Sequence, residues 1–402
     1  MGHRPEVADV IRSHGDRYVE KYGVSKEQRQ VLYALGVCRT RALGGHKKKC
    51  NRCDFVEVSY NSCRNRHCPK CQVTARSAWF VERQKELLDV AYFHVVFTLP
   101  DKLGPLALQN KRLMYRVFFR SVSETLRTIS KDPKHLGAGI GFLSILHTWG
   151  QKLLLHPHIH CVIPGGGISL DGQRWVACRD RFFLPVCVLS RLFRGKFLAY
   201  LQDAFDQGEL QFHGRLTHLR DRACWRNWCR ELRAREWVVY VKPPFGGPQQ
   251  VLKYLARYTH RVAVSNSRLV ALEDGKVTFR YKDYAQAGRQ RLMTVDAEEF
   301  IRRFLLHVLP KGFVRIRYYG FLANREKSSH LEKVRNLLAE DSTPVDDDTN
   351  PSPAGTSPRD LGLSGSDDLD LCPSCRKGRM VTIELLKPIS GAILGPLFID
   401  TS

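Results

Sequence analysis

Leu155-His156-Pro157-His158-Ile159-His160-Cys161-Val162-Ile163 is the stretch on which the fold turns. Side chains alternate faces along an extended strand, so His158 and His160 share one face, joined by His156 if the strand starts early enough. Ile159, Cys161 and Ile163 share the other face, which is apolar. Two imidazoles on one face, about 7 Å apart along the strand, can grip one divalent cation. A third protein ligand is then required. His156, His147 and Gln151 are the candidates, and spacing does not choose among them. The plainer reading is a satisfied core histidine. Three histidines at alternate positions, backed by apolar neighbours, fit that reading poorly.

A second stretch, Tyr254-Leu255-Ala256-Arg257-Tyr258-Thr259-His260-Arg261, follows about a hundred residues later. On a helix Tyr254 and Tyr258 share a face. A metal that polarises a phosphate, beside a phenol that can attack it, is the equipment of a DNA strand-nicking enzyme. Against it stands the ordinary aromatic stripe of an amphipathic helix. A neutral phenol, with a solution pKa near 10, is a weak nucleophile. Arg257, His260 and Arg261 would stabilise phenolate or phosphorane charge.

A third pattern is metal-binding. Cys50-x₂-Cys53, fourteen residues, then Cys68-x₂-Cys71 is the spacing of a four-thiolate zinc module. Residues 46–72 are too short and polar to hold a core, so a metal has to supply the cohesion. Cys63 and His67 lie between the knuckles and could substitute as ligands. Cys372-Pro373-Ser374-Cys375 is half a site by itself. It reads equally well as two reduced cysteines or as a knuckle completed from elsewhere.

His158-Ile159-His160 on a strand, followed by the Tyr254/Tyr258 pair, resembles the HUH nucleases. Tyr254–Arg261 and Arg64-Asn65-Arg66-His67-Cys68-Pro69-Lys70-Cys71 narrow the likeness to the two-tyrosine, rolling-circle insertion-sequence transposases, over about residues 30–325. That resemblance implies an α+β fold: an HUH-type nuclease domain with a central antiparallel sheet, plus a small N-terminal zinc-binding module. It implies His158 and His160 as the pair holding a catalytic Mg²⁺ or Mn²⁺, and structural Zn²⁺ in the module. It implies Tyr254 and Tyr258 as nucleophiles that leave a 5′-phosphotyrosine and a free 3′-hydroxyl. The reaction would nick and join single-stranded element ends and target DNA.

Composition agrees with a polyanionic partner. Net charge is +24, and the offsetting acid sits in the tail: residues 339–402 hold 11 Asp/Glu and 5 Lys/Arg, leaving +30 over residues 1–338. Such a body attracts nucleic acid or anionic membrane. No apolar run approaches the ~20 residues of a membrane span, and residues 1–30 are polar and charged, unlike a signal peptide. The chain therefore reads as a soluble cytoplasmic protein that meets DNA. The 13 cysteines, an odd number without a secretion signal, argue against a disulfide framework. Outside the knuckles, Cys38, Cys161, Cys178, Cys187, Cys224 and Cys229 read as small core residues. Candidate DNA contacts are Lys47, Lys48, Lys49, Arg64 and Arg66 around the cysteines, Arg257 and Arg261 beside the tyrosines, and Arg226 and Arg230. The last two lie in a stretch where arginines alternate with Trp225, Trp228 and Trp237, a composition suited to stacked bases and paired phosphates. A solvated basic helix whose tryptophans face the core has the same composition.

The organisation follows. Residues 1–90 are a helical lead-in and zinc-binding domain, with a capping box at Ser25 and Gln28 opening a helix over 25–38. Residues 91–325 are the catalytic domain, with helices over 76–90 and 105–130 at and beyond its border, and residues 171–236 reading as an insertion. Asp274-Gly275 marks a hairpin between 268–273 and 276–282. Residues 339–370 are an acidic linker of disordered composition, and 371–402 a C-terminal segment. No Walker-type phosphate loop occurs, so unwinding would fall to a host helicase. Two rivals remain: a plasmid replication initiator or relaxase, distinguished by nicking an origin hairpin, and a non-catalytic zinc-dependent DNA-binding protein.

Overall fold

The computed structural model describes residues 4–179, 183–242, 262–340 and 371–389. Fourteen strands are found among them. They are β1 (Gly45–Cys50), β2 (Val56–Tyr60), β3 (Tyr92–Thr98), β4 (Ala138–Gly139), β5 (Phe142–Trp149), β6 (Leu155–Pro164), β7 (Gly166–Ser169) and β8 (Trp175–Ala177), then β9 (Val239–Lys242), β10 (Leu269–Glu273), β11 (Lys276–Asp283), β12 (Arg289–Asp296), β13 (Ile316–Tyr319) and β14 (Met380–Leu386). They pair antiparallel throughout, in a five-stranded sheet of order β13-β5-β6-β3-β9 and three smaller sheets, β14-β1-β2, β10-β11-β12 and β4-β7-β8. The expected α+β class with a central antiparallel sheet is what the chain adopts.

The central sheet separates chemistry from packing by simple alternation. Ile159, Cys161 and Ile163 on β6 point with Val95 and Phe97 of β3 into the main core. The helices Lys111–Lys131 and Val186–Asp206 cover that side, with Phe118, Phe193, Phe197 and Trp237 meeting edge-on or tilted. Register then fixes the opposite face. His147 pairs with His158, Ile145 with His160, Val96 with His160 and Thr98 with His158. Directly opposed residues of an antiparallel pair share a face, so histidines from β5 and β6 converge there without a loop.

Several expectations need correction. The region 171–236, read as an insertion, contributes Leu189, Phe193, Phe197, Trp225 and Leu232 to the main core. The helix expected over 76–90 starts earlier, at Pro69, and ends at Gln84. Proline at the first helical position is pre-set for the turn, which extends the helix toward the cysteines. The helix over 105–130 is two helices, Gly104–Gln109 and Lys111–Lys131, broken at Asn110. That buried amide donates to the Leu106 and Gln211 carbonyls and accepts from the Gln211 N–H, a set of bonds made outside the regular helix ladder. The Ser25/Gln28 capping box forms, and Asp274 and Gly275 both take positive φ (49° and 70°) in the β10–β11 hairpin, as a two-residue turn of this type requires.

A second core joins sequence-distant parts. Val10 and Ile11 of the N-terminal helix, Leu32 and Leu35 of the next, Phe279 of β11 and Phe300 and Phe304 pack together with Trp149 and Leu153. Cys38, Cys68 and Cys71 belong to this same core.

Candidate metal and nucleic-acid site

The β5–β6 hairpin builds the centre of the site. His147, His158 and His160 each place a ring nitrogen within 4.8 Å of the others, a spacing one cation can bridge. Of the three candidates for a third ligand, the structure brings His147 to the pair. His156 stands one step further out, its ring 5.2 Å from that of His158, and Gln151 lines the same cleft. A register shift between His147 and Trp149 marks a bulge at the end of β5, a common device for aiming side chains beside a site. Trp149 then stacks on His147 at 4.7 Å.

Neighbours fix the imidazoles. The Nδ1–H of His158 donates to the His156 carbonyl at 2.7 Å, which leaves Nε2 as the ligating nitrogen. His160 Nδ1 lies 2.8 Å from His94 Nε2, and the two rings stack. Burial first, and the Lys242 charge second, push His94 down to about 3. His94 is therefore neutral, and with its Nε2 as the acceptor of the His160 Nδ1–H it would orient that ring as an outer partner orients a ligating histidine. The hairpin loop is held by His307, also neutral because burial lowers it to about 3. Its Nε2–H donates to the Leu153 carbonyl at 3.1 Å, and Nδ1 accepts from the Thr148 hydroxyl at 3.1 Å.

The triad opens into a cleft of about 760 Å³. Lys152, Lys242 and Lys282 line it together with Tyr240 and Tyr284. Asp101 and Asp283 line it too, so this aromatic-edged groove carries both signs of charge, lysine in slight excess, and leads to three histidines. Tyr254, Tyr258, Arg257, His260 and Arg261 lie outside the described residues.

The cysteines regroup. The expected quartet of Cys50, Cys53, Cys68 and Cys71 does not converge. Cys68 and Cys71 gather instead with Cys38 and Cys63, and Cys50 and Cys53 with Cys372 and Cys375. The physical reason is the antiparallel pairing of β1 and β2: it holds the first knuckle at a sheet end, while the second opens a helix packed into the shared core. In the first cluster the sulfurs of Cys38 and Cys71, Cys63 and Cys71, and Cys38 and Cys68 stand 3.6 Å apart. A tetrahedral zinc with bonds of about 2.3 Å demands edges of about 3.8 Å. The Asn65 N–H points at Cys63 Sγ (3.5 Å), and Arg64 adopts φ of 52°, bending the chain into a knuckle. Cys38 is thus a ligand candidate rather than core filler; no spacing flagged it. Cys63 fills the role foreseen as a substitute, and His67 does not join the group. Cys187 and Cys224 are exposed, not core.

The candidate DNA contacts divide. Arg66 is committed to structure: its guanidinium donates to the carbonyls of Phe313 (2.5 Å), Pro310 (2.9 Å) and Leu309 (3.3 Å). Lys47 and Lys49 sit on β1 beside Glu384 and Asp54, with Lys48 between them, and Arg64 is exposed. Trp225, Trp228 and Trp237 are buried, Trp225 stacking on Phe205 at 4.4 Å. Of the two readings of this stretch, the structure therefore shows the basic helix whose tryptophans face the core. Arg226 and Arg230 remain on the exposed face of the helix Arg222–Ala234.

The family model "Transposase zinc-binding domain", of the IS91 type, matches residues 10–99, and the model "Putative transposase" matches residues 141–329. The chain is similar to "Putative transposase y4qJ" of Sinorhizobium fredii (strain NBRC 101917 / NGR234), at 54% identity over 388 residues, 96% of this chain and 97% of that protein. It is also similar to "Transposase for insertion sequence element IS801" of Pseudomonas savastanoi pv. phaseolicola, at 28% identity over 80% of this chain and 76% of that one. Among solved structures, the conjugative relaxase TrwC in complex with oriT DNA overlaps 61% of this chain and 71% of its own at 13% identity, with a TM-score of 0.22. A likeness that shallow carries no weight. Among the described residues no helix is long and apolar enough to cross a membrane.

Proposed function

We infer the function from one premise: the chain belongs to the insertion-sequence transposases of the IS91 type. We propose that it moves DNA by metal-dependent nicking and joining of single strands, in the rolling-circle manner. The observation that carries this reading is the convergence of His147, His158 and His160 at the head of a lysine-lined cleft. Three imidazoles, two of them hydrogen-bonded to outer partners, fit a divalent cation that completes its shell with phosphate oxygens; Mn²⁺ suits them, and Mg²⁺ suits the oxygens. Bound there, the cation would polarise the scissile phosphate. Lys152, Lys242 and Lys282 would hold the flanking phosphates and fix the strand's path. His94 would keep the His160 ring in its ligating tautomer.

Tyr254 and Tyr258 are the proposed nucleophiles. The phenol oxygen forms a bond to phosphorus, the 3′-oxygen leaves and takes a proton, and a 5′-phosphotyrosine remains. Bond energy is retained, so rejoining needs no nucleotide cofactor. Two tyrosines permit two such links, one to the donor end and one to the target. Support comes from both flanks of that segment. The chain leaves β9 at Lys242, a cleft residue, and returns with Ala263 and Val264 packed in the core that includes Trp149 and Leu153. The test is incubation with labelled single-stranded element ends and Mn²⁺ or Mg²⁺. A covalent adduct is expected, sensitive to EDTA and lost in Tyr254→Phe/Tyr258→Phe. Binding without adduct under any metal would leave the non-catalytic DNA-binding reading; cleavage confined to a plasmid origin hairpin would favour an initiator.

Zinc in the first cysteine cluster follows from the family domain and the sulfur geometry. The exposed Arg226 and Arg230 yield a separate prediction. If both meet phosphates of a single strand, Arg226→Ala/Arg230→Ala lowers the slope of log affinity against log salt by about 1.4, at about 0.7 per phosphate. Fluorescence anisotropy at several salt concentrations measures this, and an unchanged slope assigns the pair to solvent.

A further inference from the structure

We infer that Cys50, Cys53, Cys372 and Cys375 form a second structural zinc site, one that clasps the C-terminal segment onto the N-terminal module. Cys372 and Cys375 lie beyond residue 329, where the transposase match ends, and outside the 10–99 zinc-binding match.

Four observations point to a metal. The first is distance: Cys50 Sγ lies 3.7 Å from Cys375 Sγ, Cys53 Sγ lies 3.6 Å from Cys372 Sγ, and all four sulfurs fall within 4.8 Å of one another. These are the edges of a thiolate tetrahedron about 3.8 Å on a side, as zinc–sulfur bonds of about 2.3 Å dictate. The second is the backbone. The Arg52 N–H points at Cys50 Sγ and the Gly378 N–H at Cys375 Sγ, each at 3.3 Å, donors that favour the thiolate form. The knuckle is closed by Arg376 N–H to the Cys372 carbonyl (2.9 Å), Cys372 N–H to the Gly378 carbonyl (2.8 Å) and a left-handed Arg376 (φ 54°). The third is Gly378. A Cβ there would stand 2.4 Å from Cys50 Sγ, so only glycine lets the two knuckles approach.

The fourth is how little else, among the described residues, holds this segment. β14 pairs with β1 along its length, from Gly45 opposite Leu386 to Cys50 opposite Met380. Among the described residues, the buried core beneath the sheet is Cys50, Cys372 and Met380, with Cys53, Phe55 and Cys375 partly buried against them. Val56, Val58, Val381, Ile383 and Leu385 are exposed. Three strands with so little buried area do not hold together by the hydrophobic effect alone. A four-thiolate zinc supplies the missing cohesion.

The site stands independently of the catalytic reading, and its test reads metal and cleavage of the tail rather than transposition. Full-length protein in reducing buffer is titrated with Co²⁺, whose sulfur-to-metal charge-transfer band reports thiolate sites alone. The band should rise to two equivalents per chain; saturation at one overturns the proposal. Cys372→Ser/Cys375→Ser should then saturate at one equivalent. Limited proteolysis should release the 371–389 segment from that variant but not from the parent, with residues 262–340 equally resistant in both. Retention of two equivalents by the variant, or Cys50–Cys375 and Cys53–Cys372 disulfides found by mass spectrometry in the reduced protein, would also overturn it. The cobalt count on the unaltered chain needs no variant to fold.

Discussion

His158→Ala/His160→Ala is expected to reduce covalent adduct formation by about 10³-fold or more, while melting temperature and DNA affinity change little. The triad would fall from three nitrogens to one, too few to hold a divalent cation against water. A Lewis acid of this kind contributes several kcal/mol of transition-state stabilisation, and each 1.36 kcal/mol is tenfold in rate. Stability should survive because the apolar partners of β6, Ile159, Cys161 and Ile163, point to the other side of the sheet. His94→Ala gives a graded counterpart. His94 reaches His160 and not the cleft, so its loss should cost the ~10–100-fold typical of an outer-shell partner. Raised Mn²⁺ should recover much of that loss, which a merely unfolded variant would not show. Single-turnover cleavage across a metal titration separates these cases. A double variant retaining activity within tenfold of the parent would remove the triad from the chemistry.

How far the sequence reaches is uneven, and the reasons are physical. Period-two alternation in Leu155–Ile163 was readable because one side of β6 meets a core and the other a cleft. His147 lies on β5, outside that stretch, and only the pairing register shows that it stands opposite His158. His94 leaves no signal: it occupies an ordinary strand position, and only the three-dimensional neighbour gives it a role. The alternating arginines and tryptophans of 215–237 were legible as two possibilities, and helical periodicity decided between them by turning Trp225 and Trp228 inward. Cysteine spacing misled most. Two Cys-x₂-Cys pairs at a familiar distance suggested one ion, yet each pair takes its complement from outside: Cys38 and Cys63 for one, Cys372 and Cys375 for the other. Local sequence encodes a knuckle, whereas the tetrahedron is completed by topology.

That regrouping sets the second large effect. Cys38→Ala should destabilise the protein as severely as Cys68→Ala or Cys71→Ala, although it lies in neither knuckle. Structural zinc contributes about 10–16 kcal/mol in small modules, comparable with the whole stability of a domain, about 5–15 kcal/mol. Loss of one ligand, if it forfeits about 4 kcal/mol or more, lowers the melting temperature by roughly 10 °C, at about 2–4 °C per kcal/mol for chains of this order. The damage should also spread. Sequence alone suggests that chelation would melt residues 46–72 and leave the rest standing. The structure argues otherwise, because Cys38, Cys68 and Cys71 are buried in one core with Val10, Leu32, Phe300 and Ile301. Amide exchange should therefore accelerate across Val7–Tyr22, Lys26–Gly36 and Ala297–Leu306, while β3 and β6 keep their protection. Hydrogen exchange on Cys38→Ala beside the parent protein measures this. Deprotection confined to 46–72 would show that the first cluster does not fasten the second core.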